Sequence, residues 1–92
     1  MEVNHLYTVL LDYAGGTYIS QVKTPLSGVL PAWLKQLSIP EVTSWGLTIT
    51  ELESLANDNL IPLGGLENVW CASASGSHGL ILINVVLTNP EP

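Results

Sequence analysis

The sequence predicts an α+β domain of two layers, a four-stranded mainly antiparallel sheet with two helices on one face, in the order β-β-α-α-β-β. Three observations carry that expectation. Apolar residues alternate with period two toward both ends of the chain, a helical period of three to four occupies the middle, and glycine-rich turns separate the paired strands. We expect one domain over residues 1–88 and a disordered tail over 89–92, because 92 residues are too few to build two separate cores.

Over residues 6–13, Tyr7, Val9, Leu11 and Tyr13 fall on one face of a strand and Leu6, Thr8, Leu10 and Asp12 on the other. Ala14-Gly15-Gly16 supplies the positive-φ residues of a tight reversal. Residues 17–23 are rich in the β-formers Thr, Tyr, Ile and Val, which completes a hairpin. The glycine pair is not followed by a helix or by the Lys-Ser/Thr pair of a phosphate-cradling loop, so it reads as a turn. After Thr24-Pro25, Val29, Leu30, Trp33, Leu34 and Leu37 recur along one helical stripe. Pro31 fits the first turn, where its missing N–H matters least, so the helix is expected to begin nearer Leu30 than Ser27 and to close at Ser38-Ile39-Pro40.

A loop over residues 41–46 then leads to Leu47-Thr48-Ile49-Thr50-Glu51-Leu52, a helix start. With Thr48 as N-cap, Glu51 stands at the third helical position and can accept from the cap N–H, while Leu47 and Leu52 occupy the two hydrophobic-staple positions. Ile49, Leu52, Leu55 and Ala56 continue the stripe until Asn57-Asp58-Asn59 stops it. Residues 60–65, with Pro62 and two glycines, read as a connector. Residues 69–74 and 80–88 read as a second pair of strands around Ser75-Gly76-Ser77-His78-Gly79.

Composition bounds the function. Only 11% of residues are charged, against about 25% in an ordinary soluble domain. With 47% hydrophobic residues, part of the surface is expected to be buried in an assembly. Lys23 and Lys35 face eight acidic residues, for a net charge of −6. Two lysines cannot neutralise a run of phosphates, so neither nucleic acid nor an anionic membrane is an expected partner. The acids either keep an apolar domain soluble or steer it toward a basic protein. Cys71 is the single cysteine, which excludes an intrachain disulfide and suits a reducing compartment. Met1-Glu2-Val3-Asn4-His5 lacks the basic and apolar segments of a signal peptide. The apolar run over residues 80–87 is broken by Asn84 and is far shorter than the roughly 20 residues of a spanning helix. A cytoplasmic protein is expected.

The catalytic inventory is thin. His5, Cys71 and His78 have no metal-ligand spacing, so no metal and no cofactor are expected. With the last reversal centred near Gly76-Ser77, Cys71 would face a residue near Leu82 while His78 sat at the turn, too far along the ladder for a Cys-His nucleophile pair. Ser73, Ser75 and Ser77 lack a nucleophile-elbow context. His78, between glycines, is either a solvated turn residue or a ligand contact. No catalytic residue is assigned, and the chain is not expected to be an enzyme.

The last strand carries Ile81, Ile83, Val85 and Leu87 on one side, and Leu80, Leu82 and Val86 with the polar Asn84 on the other. Both sides want cover, and two helices can supply it to only one. Leu80, Leu82 and Val86 are therefore candidates for a dimer face packed against a second copy through a two-fold axis, unless a more curled sheet encloses both sides. Trp45, in the loop between the helices, either folds back as a lid on the core or anchors a partner protein, together with the acidic residues Glu41, Glu51 and Glu53. Glu51 and Glu53 also have a simpler reading as a helix cap and a solvated face.

From Leu6 to Leu37, a glycine-turn hairpin followed by a helix is similar in outline to the amino-terminal domain of HicB-type antitoxins. Thr24-Pro25-Leu26-Ser27 stands where that family has a Pro-Gly-Cys-like segment, and the later strands differ from its DNA-binding part, so no residue role carries across. The leading expectation is a non-catalytic interaction or regulatory module, homodimeric, that meets a partner protein through an acidic surface. The alternative is a domain that binds a small apolar or aromatic ligand between sheet and helices, lined by Tyr7, Tyr13, Tyr18 and Trp70. An enzyme stands third.

Overall fold

A computed structural model describes residues 4–56 and 60–88. Met1 to Val3, the expected stop at Asn57-Asp58-Asn59 and the expected tail over 89–92 lie outside them. The first hairpin forms as its alternation dictates: β1 (His5–Tyr13) and β2 (Gly16–Thr24) pair antiparallel, with Leu10 opposite Ile19 and Tyr13 opposite Gly16. Ala14 and Gly15 make the reversal, both at positive φ.

A 3-10 turn (Leu26–Gly28) leads into α1 (Val29–Gln36), which starts one residue earlier than Leu30 and holds Pro31 in its first turn. Two more helices follow, α2 (Ile39–Ser44) and α3 (Ile49–Ala56), so the described chain has three α-helices rather than the expected two. The extra one lies where the sequence suggested a stop and a loop. Ser38 is the N-cap of α2, accepting from the Glu41 N–H at 3.2 Å, and its own N–H donates to Glu41 Oε1 at 3.4 Å. This is the Ser-x-x-Glu form of the capping box, and Pro40 belongs to a first turn that needs no N–H there. In α3 the expected box is present. The Thr48 N–H donates to Glu51 Oε1 at 2.9 Å, the Glu51 N–H donates to Thr48 Oγ1 at 3.2 Å, and Leu47 and Leu52 are buried.

Among the described residues the sheet has five strands, not four, in the order β2-β1-β5-β4-β3. The additional strand is β3 (Ile61–Pro62), two residues from the segment expected to be a connector. It pairs with β4 (Val69–Gly76) through Ile61–Cys71 and Pro62–Trp70. Its edge position explains why proline is accepted. β5 (Gly79–Leu87) lies between β1 and β4, so the strand apolar on both sides has a neighbour along each edge. Gly76 pairs with Gly79, which leaves Ser77 and His78 as the turn and sets Cys71 opposite Asn84, not near Leu82. Centring the reversal on Gly76-Ser77 placed it one residue too early, and each residue of error at a hairpin turn moves the partner by two.

The helices cover one face of this sheet. Tyr7, Val9, Leu11 and Tyr13 from β1 and Ile81, Ile83 and Val85 from β5 are buried with Val29, Leu30 and Trp33 of α1, Val42 of α2, and Leu52 and Leu55 of α3. The α+β two-layer expectation therefore holds, with a larger sheet and one more helix.

Candidate functional site

Among the described residues, no helix lies on the opposite face of the sheet. One cross-strand row, Ile19, Leu10, Asn84, Cys71 and Ile61, crosses all five strands. On one side of that row lie Asp12, Leu82 and Ser73, with Leu80 beyond; on the other lie Thr8, Val86 and Val69. The period of two that buries Val9, Leu11, Ile83 and Val85 forces these alternate residues outward. Ile19, Ile61 and Leu80 are 64%, 62% and 61% exposed, and Leu10, Leu82, Asn84 and Val86 are half-buried by their neighbours alone. The three dimer-face candidates, Leu80, Leu82 and Val86, thus share one face with each other and with Asn84.

Ile19 and Ile61 join this surface although neither was singled out in the sequence. The signal for Ile19 was present: Thr17, Ile19, Gln21 and Lys23 alternate with the helix-facing Tyr18, Val22 and Thr24, so one outward apolar residue stands in a polar row. Ile61 had no such signal, because a two-residue strand has no period. The charged residues on the open face, among those described, are Asp12 and Lys23, and Asp12 Oδ1 accepts from Thr17 Oγ1 at 2.6 Å. Glu41, Glu51 and Glu53 lie on the helical layer.

The four partner-binding candidates on that layer are largely engaged within the chain. Trp45 caps the end of α2 and stacks on Tyr18, with ring centroids 4.7 Å apart and planes 17° from parallel. Glu41 completes the α2 capping box. Glu51 accepts from Thr48 through Oε1 and from the Ser77 N–H through Oε2 at 2.9 Å, tying the start of α3 to the β4–β5 turn. Hydrogen bonds from the Ser77 and then the Thr48 backbone hold its carboxyl below the usual carboxylate range. Glu53 has no such role; with Pro31, Leu34, Lys35 and Ala56 it lines a shallow groove between α1 and α3.

The aromatic residues expected to line a ligand pocket serve the core. Tyr7 and Tyr13 are 3% and 2% exposed, and burial pushes the Tyr7 hydroxyl above its ordinary pKa. Trp70 meets Tyr7 edge to face at 6.0 Å, and Tyr18 is the partner of Trp45. The Tyr13 hydroxyl accepts the His78 N–H at 2.7 Å, so His78 is held at the turn by its backbone. Cys71 and His78 stand on β4 and in the turn, separated by five residues of ladder. Among the described residues, no three His, Cys, Asp or Glu side chains gather as a metal site would require, and no helix is long and apolar enough to cross a membrane. No protein-family model matches the chain, and neither does any curated protein or any solved structure, so function must be argued from the surface itself.

Proposed function

We propose that the chain is a non-catalytic interaction module that works as a homodimer, joining two copies through the open face of the sheet and leaving the acidic helical layer free to meet a partner protein. The observation that carries this reading is the outward apolar set Leu10, Ile19, Leu80, Leu82 and Val86 on a face bearing two charged residues among those described. The same face carries Thr8, Asp12, Gln21, Lys23 and Ser73 around that set, and an exposed apolar patch rimmed by polar residues marks an interaction site. Its flat footprint, four strands about 4.8 Å apart and about 30 Å long, is about 600 Å². Corrugation by side chains brings the accessible area toward the about 800 Å² per partner of a stable interface.

Charge supports the same arrangement. Two copies each of net charge −6 repel, but Glu41, Glu51 and Glu53 lie across the domain from the open face, which keeps like charges apart when the sheets meet. The test is the solution mass by light scattering over a wide concentration range, for the natural chain and for Leu82→Lys and Val86→Lys. The natural chain is expected to be a dimer. Each lysine, placed on a half-buried outward site, is expected to yield monomers with an unchanged circular dichroism spectrum. A natural chain that stays monomeric, or both variants remaining dimeric, refutes the reading.

A further inference from the structure

The open face has one feature that an anonymous apolar surface does not require. Asn84 is its middle residue. Along the cross-strand row, Leu10 and Ile19 lie to one side and Cys71 and Ile61 to the other; along β5, Leu82 and Leu80 lie one way and Val86 the other. Its carboxamide makes no hydrogen bond to any described residue, and neither its oxygen nor its nitrogen is fully buried, so water satisfies it in the isolated chain. Covering the face with an apolar surface would strip that water and leave a donor and an acceptor unpaired. Any occupant must therefore present a donor and an acceptor at the centre of its own apolar face.

A second copy of this chain does so by symmetry. In a face-to-face pair the two-fold axis lies in the plane between the sheets, and an axis through the centre of the patch, in whichever direction it runs, brings the residue there onto its own counterpart. From this we infer that Asn84 pairs with Asn84 of the partner subunit across the two-fold axis, each carboxamide donating one N–H to the other's carbonyl oxygen, and that this pair sets the register of the dimer. The distances agree. Sheets pack about 10 Å apart. An asparagine carboxamide reaches about 3.5 Å above its Cα, and two of them joined by a hydrogen bond of about 2.9 Å close that gap. A single polar residue in an apolar seam is also the device by which coiled coils select register and partner number.

This inference rests on the homodimer reading, and the experiment separates the two. Solution mass is measured for the natural chain, for Asn84→Asp, for Asn84→Lys, and for an equimolar mixture of the two variants. Like charges meeting at the axis should weaken self-association of each variant at least tenfold, and the mixture should recover the dimer mass as an Asp-Lys heterodimer that high salt weakens. A natural dimer that survives both substitutions, or variants whose mixture stays monomeric, overturns the Asn84 pairing while the homodimer stands. A monomeric natural chain overturns both. Should the lysine variant fail to fold, Asn84→Cys in a Cys71→Ser background gives the same answer: a short bifunctional thiol reagent is expected to join residue 84 to residue 84, and failure to cross-link a dimeric sample overturns the pairing.

Discussion

Gly76 closes β4 beside the turn, and replacing it with alanine is expected to destabilise the fold through space alone. Its φ is not in the left-handed region, so no backbone strain is involved. A Cβ built there would stand 2.8 Å from Tyr13 Cε1, 3.0 Å from Tyr13 Oη and 3.1 Å from Ile81 Cγ1, where unstrained carbon contacts sit at about 3.5–4.0 Å. None of these neighbours yields easily. Tyr13 is 2% exposed and its hydroxyl holds the His78 N–H, while Ile81 is fully buried. Overpacking of this kind costs about 1–3 kcal/mol. Divided by a urea slope of about 1–2 kcal/mol/M for so small a chain, that lowers the denaturation midpoint by about 0.5–3 M. Gly64→Ala is the control, because a Cβ at Gly64 meets nothing within 4 Å. It is expected to leave stability unchanged or to raise it by up to about 1 kcal/mol through the unfolded chain. Equal urea midpoints for the two variants would refute the packing described around Tyr13.

Two further outcomes test the caps. Thr48→Ala removes the side-chain oxygen of the α3 box and is expected to cost about 0.5–2 kcal/mol; an unchanged denaturation midpoint would remove the box from the account of that helix. Glu51→Gln tests the link from α3 to the turn through pH. Because backbone N–H donors hold the folded carboxyl below its unfolded value, its stabilisation is fully present above that unfolded value and is lost as pH falls through the lower folded one. The thermal midpoint of Glu51→Gln should therefore lie below that of the natural chain at pH 7, with the gap closing in acid. A gap that stays constant from neutral pH to pH 3 would show that the charge is not what holds Ser77.

What was legible in the sequence was what short-range chemistry writes there. The β1–β2 hairpin and the α3 start each rest on residues within a few positions of one another. The division of β1 and β5 into two faces followed from a period of two, and so did the prospect of an uncovered face, but with both sides of β5 apolar the period alone does not say which of them the helices cover. Pro40 and Pro62 misled for opposite reasons. One was read as an end although Ser38 and Glu41 around it form a helix start, and the other as a connector although an edge strand tolerates it. The contacts made by Glu51 with Ser77 and by Tyr13 with His78 had no local trace, since their partners lie 26 and 65 residues away. The centrality of Asn84 was hidden for the same reason: it appears only when the order β2-β1-β5-β4-β3 lines up five separate strands.

That strand order also bears on how the chain finds its fold. β5 reaches its place beside β1 only after nearly all the intervening chain has been laid down, and the Thr88 N–H then donates to the Leu6 carbonyl at 2.9 Å. The pairing at the heart of the sheet is thus the one of highest contact order and the last that synthesis makes available. The same geometry sets the end of β5 next to the start of β1. In a circularly permuted chain in which a short turn led from β5 into β1, with new ends at Gly64-Gly65, the slowest pairing would become a local hairpin.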